Sequence, residues 1–420
     1  MFQTNLNKMK CNLPIVILSI FLTFILGRSG PAQEIEVEIV NKSGFALKEV
    51  YFVADIQTAT GTIGDQCLMA DKQTGATIYT QIFNRRVHDQ SGLENFSIIA
   101  PVDLKAGEGR IFILKPVSDP VEFPDTDLSI AGEDLDLTIE NSYYRADLRR
   151  NENEDGQKYM SGQLNRLELK SRGDVVFKRK SNRMHWAPNF RRRHDENYTT
   201  VAHWDPPDSV VLDKGPYLVR LMRMGRAPGI PELQLITVYH FLAGKPYFLF
   251  YSEMAFQKDV ILSLLRNDEM TMDSLFTHVA FGRTDGRLED YNFGMREAAL
   301  ISHPIGNSDP WLCFYHETAG YAFGSIRILY DILNEQGSPS PTFLPHTRIS
   351  DGAGGGKYWN RRLIHEKDTF VPAGSRYREE NAYLVFEIGE EGRFKEILYW
   401  QERLKNPPEV KVMYPDVSAY

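Results

Sequence analysis

Leu235-Ile-Thr-Val-Tyr-His-Phe-Leu242, Ala243-Gly-Lys-Pro246 and Tyr247-Phe-Leu-Phe-Tyr-Ser-Glu-Met254 follow one another without interruption. Two runs rich in β-branched and aromatic residues flank a short break holding Gly244 and Pro246, which is the pattern of a β-hairpin. Side chains alternate along a strand, so Tyr239 and His240 are expected on opposite faces, with one of them at most facing a site. A helical period shows only briefly, from Phe394 to Leu404.

Upstream, Leu135-Asp-Leu-Thr-Ile-Glu-Asn-Ser-Tyr-Tyr-Arg-Ala-Asp147 and Ser161-Gly-Gln-Leu-Asn-Arg-Leu-Glu-Leu169 alternate on either side of a polar turn around Asn151 to Gly156, a second strand pair. From Glu34 to about Pro120, alternating apolar positions (Ile35, Val37, Ile39; Val50, Phe52, Ala54; Ile98, Ala100, Val102; Ile111, Ile113) are separated by turn signals at 41–44, 61–64 and 107–109. Short strands at that spacing read as a small β-sandwich. The acidic, proline-containing stretch from Ser118 to Asp127 has no apolar period and reads as a connector. The expected organisation is therefore mainly β. An N-terminal β-sandwich at 33–120 and a linker at 121–133 precede a large antiparallel β-supersandwich at 134–420, read as the catalytic part.

Residues 1–32 read as an address. Lys8 and Lys10 precede a charge-free apolar stretch from Leu13 to Leu26, followed by Gly27, Ser29, Gly30, Pro31 and Ala32, the order of a secretory signal peptide with Gln33 as first mature residue. Cys11 lies before the apolar core and so cannot be an acylated lipoprotein cysteine. The apolar stretch is short for a membrane span, so the expectation is a periplasmic or secreted protein with no stable span after cleavage. Processing removes three cations and no acid, moving the formal charge from −8 to −11. So acidic a chain does not bind nucleic acid by bulk field, and an anionic substrate needs a local cluster of Arg or Lys. Cys67 and Cys313 remain, which allows one disulfide but neither a disulfide scaffold nor a structural zinc site.

Ile139-Glu-Asn-Ser-Tyr-Tyr-Arg145 with Gly162-Gln-Leu-Asn-Arg-Leu167 resembles the opening of the β-supersandwich domains related to galactose mutarotases. His185-Trp-Ala-Pro-Asn189 with Leu265-Arg-Asn-Asp-Glu-Met270 is similar to proteins encoded with ulvan-degrading enzymes of marine bacteria, of the oligosaccharide dehydratase or lyase type. The second resemblance implies a sulfated rhamnose and glucuronate polymer or fragment as substrate.

Polar and aromatic residues concentrate between 183 and 278. Trp and Tyr rings beside Arg and His are what a saccharide site needs: flat faces for pyranose C–H groups and charged forks for carboxylate or sulfate. Eliminating a C4 oxygen substituent from a uronate requires removal of a weakly acidic C5 proton, eased when the carboxylate charge is neutralised. Arg or Asn can neutralise, and Tyr or His can move the proton. The expected catalytic residues are His278, Tyr239, His185 and Arg266. The expected substrate-binding residues are Trp186, Asn189, Arg223, Tyr251, Asn267, Tyr358 and Arg361. No nucleophile or redox cofactor is called for. No histidine pair has zinc spacing, so no metal ligands are assigned, although Asp268 and Glu269 leave room for a divalent cation such as calcium. The glycines around Asp351 to Lys357 lack a phosphate-loop ending.

The function expected is a carbon-oxygen lyase acting on an anionic polysaccharide or oligosaccharide to leave a 4,5-unsaturated uronate. Two alternatives stand beside it. One is a glycoside hydrolase using two acids among Glu253, Asp268, Glu269 and Glu317. The other is a noncatalytic carbohydrate-binding protein.

Overall fold

A computed structural model describes residues 34–414 apart from 89–90, 118, 149–150, 153–157, 174, 179–183, 273, 297–299, 301, 345, 353–355 and 390–391. The segment read from the sequence as an export signal lies outside the described residues. The chain is mainly β, and its strands pair antiparallel throughout. Among the described residues no helix is long and apolar enough to cross a membrane.

The hairpin at 235–254 forms the middle of a nine-stranded central sheet. Ile230–Leu242 pairs with Tyr247–Phe256, placing Tyr239 opposite Phe250 and Val238 opposite Tyr251. Ser209–Asp213 and Leu218–Ala227 extend the sheet on one side. Arg376–Glu387, Tyr321–Asp331, Trp311–His316, His278–Gly282 and Leu288–Asn292 extend it on the other. Both of its faces are covered, which is why its strands carry apolar residues on both sides of the pleat rather than one.

Behind the central sheet lies a seven-stranded outer sheet from the N-terminal part of the chain. Val37, Ile39, Phe52, Ile98 and Phe112 of the outer sheet share one apolar cluster with Leu218, Trp311, Tyr315, Ala382 and Leu384 of the central sheet. The last strand, Glu409–Met413, pairs with Ile35–Val40 in the outer sheet. The helix Lys395–Lys405, where the sequence showed its brief helical period, packs Ile397 into the same cluster. Cys67 and Cys313 are both buried free thiols there, so no disulfide joins them.

In front of the central sheet lie two five-stranded sheets. A flanking sheet holds Ser129–Glu133, Asp136–Glu140, Tyr144–Asp147, Arg166–Leu169 and Val175–Phe177. Ser129–Glu133, at the end of the segment read as a linker, is thus hydrogen-bonded as a strand. A front sheet holds Asn189–Arg191, Thr199–Thr200, Val260–Thr271, Thr347–Asp351 and Lys357–Val371. Two apolar clusters fill the space between the front layer and the central sheet: one around Tyr239, Phe248, Phe250, Phe323 and Trp359, the other around Leu235, Met254, Leu265, Leu363 and Tyr377.

Gly324 shows how closely the rear layer packs. A Cβ there would stand 2.7 Å from the Ile397 methyl and 3.1 Å from both the Cys313 Cβ and the Leu312 carbonyl. Gly324→Ala is expected to destabilise the protein by about 1–3 kcal/mol through overpacking; an unchanged denaturant midpoint would show that the helix yields freely.

Candidate functional site

A row of polar side chains crosses the front face of the central sheet between the two apolar clusters. Arg223 is directly opposite Thr237, Thr237 opposite Ser252, and Ser252 opposite Glu379. All four are buried. Facing them from the front sheet, Asn267 donates to the Ser252 hydroxyl at 2.8 Å, and Arg361 Nε donates to Glu379 at 2.8 Å. Asp268 accepts from Trp359 Nε1 and the Tyr383 hydroxyl, each at 3.0 Å, and lies 3.8 Å from Arg327. Two acids are therefore matched by two guanidinium groups, as buried charge requires. At the other end of the row, the Tyr239 hydroxyl meets His185 Nδ1 at 2.7 Å and accepts from the Leu164 N–H at 3.2 Å.

Asp268 has a left-handed backbone, φ 43°, and sits where the register between Val260–Thr271 and Lys357–Val371 shifts. Such a bulge re-aims side chains. Asn267 and Asp268 both point inward, while Glu269 points to the outer side of the front sheet. There it accepts from Asn189 Nδ2 at 3.0 Å and Arg266 Nη1 at 3.3 Å.

That outer side is a cationic recess. Arg266 is directly opposite Arg362. Arg362 donates to Asn360 Oδ1 (2.9 Å), Ser350 Oγ (3.0 Å) and His365 Nε2 (2.6 Å), all neutral partners. Arg348 donates to His346 Nε2 at 2.9 Å. Among the described residues neither Arg348 nor Arg362 has a carboxylate within ion-pair distance. Burial first, then Arg266 and Arg348, bring the Arg362 guanidinium down to about 10. Burial and then Arg362 bring His365 down to about 4, so its ring is neutral near pH 7. Burial raises the Glu269 carboxyl, against the pull of Arg266. Arg266 and Arg362 form a nearly buried floor (9% and 8% exposed), Arg348 is exposed, and Tyr358 is half-buried on the same side of its strand as Asn360 and Arg362. Trp186 donates its backbone N–H to the Glu269 carbonyl, and its ring packs against Tyr198 at 5.6 Å.

The eleven residues singled out from the sequence thus fall into three places. Arg266, Asn189, Trp186 and Tyr358 gather at the recess. Tyr239, His185, Arg223, Asn267 and Arg361 line the sandwich interior. His278 and Tyr251 lie on the rear face of the central sheet. His278 stacks on Tyr315 and approaches Glu317 at 3.7 Å, while Tyr251 donates to Glu253 at 2.8 Å. His278 and Tyr239 do not share a site, because strand alternation sends them to opposite faces of one sheet. The four acids considered for hydrolysis are dispersed as well: Glu253 and Glu317 at the rear, Asp268 inside, Glu269 at the recess. Asp268 and Glu269 cannot hold one cation from opposite sides of the front sheet, and no three His, Cys, Asp or Glu side chains converge as a ligand set among the described residues. Arg348, Asn360, Arg362 and His365 escaped sequence reading. Their signal was the alternation of polar residues at 358, 360 and 362, hidden by the run of polar residues at 360–362.

No family model and no curated protein matches this chain. Among solved structures it is similar to a glycosyl hydrolase family 38 protein from Enterococcus faecalis, with TM-score 0.53 and 10% identity over 92% of this chain and 48% of that one. An alpha-mannosidase from Enterococcus faecalis V583 gives 0.53 and 10%, over 91% and 46%. A putative aldose 1-epimerase from Klebsiella pneumoniae subsp. pneumoniae gives 0.35 and 10%, over 80% and 92%. The chain spans about half the length of the first two. At this identity the likeness is one of fold, an antiparallel multi-sheet β-sandwich.

Burial, and next Glu379, pushes the Asp268 carboxyl up to about 6. The folded state therefore holds that proton more tightly than the unfolded chain. The associated stability is present below the unfolded value near 4 and is lost as pH rises through about 6. Asp268→Asn, which keeps a residue tolerant of the left-handed backbone, is expected to flatten stability between pH 4 and 6. Parallel pH profiles of denaturant midpoint for variant and parent would refute the assignment.

Proposed function

We propose that this protein acts on an anionic, uronate-bearing saccharide at the front-sheet recess, by β-elimination. The observation that carries the reading is the charge imbalance there. Three guanidinium groups, Arg266, Arg348 and Arg362, act on one another there, with Glu269 paired to Arg266 and Glu366 only at the His365 edge, in a chain whose overall charge is −8. Mutually repelling cations held on a sheet by neutral partners cost stability, and an anionic ligand relieves that repulsion. Tyr198, exposed and packed against the buried Trp186 ring, offers ring surface of the kind a pyranose packs on. Fold likeness to carbohydrate enzymes accords with a sugar substrate.

In this reading Arg266 and Arg362 pair with the uronate carboxylate, so that charge developing on the carboxyl group as C5 loses its proton meets fixed donors. Tyr358, on the same side of the strand and acting in its phenolate form, takes the C5 proton and returns it to the departing C4 oxygen, which restores the phenolate. The C4–O bond breaks as the C4=C5 bond forms, so proton and electrons balance without an added reactant. His365 acts by position: its Nε2 accepts from Arg362 and fixes the guanidinium plane.

The test is absorbance in the band of conjugated unsaturated uronates as the protein meets ulvan, alginate, pectin and glycosaminoglycan fragments. A rise with at least one is expected. Flat traces with accumulating reducing ends would establish hydrolysis instead, and retention on polysaccharide without any turnover would establish a binding protein. Tyr358→Phe and Arg362→Gln are each expected to lower turnover by about 100-fold or more. Arg362→Gln removes a repelled charge and leaves no acid unpaired, so its melting temperature should match or exceed the parent's. Loss of activity accompanied by unfolding would return Arg362 to a structural role.

A further inference from the structure

Arg223 is the anomaly of the interior. It is fully buried, yet its hydrogen bonds go to the Ser161 carbonyl and Gln163 Oε1, each at 2.8 Å, and its guanidinium lies over the rings of Tyr239 (5.1 Å) and Trp204 (5.9 Å). None of these partners carries negative charge. Glu379 occupies the same cross-strand row but three strands away, about 14 Å at ordinary strand spacing, and is bound by Arg361. Burial pulls the Arg223 guanidinium down to about 10, with no carboxylate to hold it up.

Three buried polar atoms in this neighbourhood have no hydrogen-bond partner: Arg223 Nε, Thr237 Oγ1 and His185 Nε2. Arg223 and Thr237 are directly opposite each other on the same face of the sheet. His185 is joined to Tyr239, two residues along that face from Thr237. In the tautomer where the Tyr239 hydroxyl, accepting from the Leu164 N–H, gives its proton to His185 Nδ1, Nε2 carries the ring's own hydrogen. Burial and Arg223 keep that ring neutral. All three atoms can donate a hydrogen bond, and they stand next to an uncompensated cation.

We propose that the sandwich interior binds a small monovalent anion, a halide or a short carboxylate, between Arg223, Thr237 and His185. Arg223, Thr237 and His185 are all fully buried, which limits the ligand to that size. The anion completes the donors that the protein leaves unmet and neutralises the guanidinium, so it acts as a structural counter-ion of the fold, independent of chemistry at the recess.

The experiment is thermal unfolding of the full chain titrated with sodium chloride, bromide, acetate or gluconate at equal ionic strength, with chloride NMR line width as a second readout. Chloride and bromide, or acetate, are expected to raise the melting temperature saturably above the gluconate baseline; which of them does so identifies the ligand class. Thr237→Val, which keeps side-chain shape, should weaken that dependence by about tenfold or more, the effect of losing a hydrogen bond to a charged group. Arg362→Gln should leave it intact, which separates this site from the recess. Superimposable curves for all four salts, or an undiminished anion response in Thr237→Val, would overturn the proposal.

Discussion

A charge that leaves water needs an opposite charge or a full set of hydrogen bonds, and the interior of this protein is organised around where its guanidinium groups find them. The central sheet is covered on both faces, so most side chains on its inner strands are withdrawn from solvent. Apolar residues fill most of that space in two clusters, and the polar row from Arg223 to Glu379 runs between them. At the Glu379 end, Arg361 and Arg327 face Glu379 and Asp268, and the charges cancel. That end ties the front sheet to the central one through directional contacts, which specify one relative placement of two layers that apolar packing alone would leave freer to slide.

The same row changes character along its length. At the Arg223 end the partners are a carbonyl, an amide and two aromatic rings. On the outer side of the front sheet, Arg362 and Arg348 likewise rest on amide, hydroxyl and imidazole groups. Positive charge is thus left over at two separate places, one enclosed and one open to solvent. The enclosed one accommodates only a small ion; the open one, floored by Arg266 and Arg362 and bordered by Tyr358, can meet a saccharide. In an acidic chain these local excesses, rather than the net charge, govern what is attracted.

The bulge at Asp268 connects the two environments. One residue with a left-handed backbone lets consecutive Asn267 and Asp268 face the same side of a single sheet, Asp268 turned toward Trp359 and Tyr383, while Glu269 turns toward Asn189 and Arg266. Without the bulge, regular alternation would place Asn267 and Glu269 on one side and Asp268 on the other, and the inward pairing of both Asn267 and Asp268 would be lost.

Alternation of apolar residues at 235–254 and 135–169 was enough to establish strands, hairpins and an antiparallel β architecture, because a period of two follows directly from the pleat. The helix at 395–405 was legible for the parallel reason, and the density of Arg, His, Trp and Tyr between 183 and 278 marked the neighbourhood of Arg266, Asn189 and Trp186. What a linear pattern does not carry is which face of a strand meets which layer. His278 and Tyr239 both read as polar residues in buried strands, yet one faces the rear layer and the other the front, a distinction set by sheet order and register over hundreds of residues. Arg362 joined Arg266 only because two strands nearly a hundred positions apart pair with those residues opposite each other. Local sequence determined the secondary structure through short-range backbone geometry. Only the tertiary structure decided which charges were neutralised and which were left for a ligand, since Coulomb energy depends on distance in space and on burial.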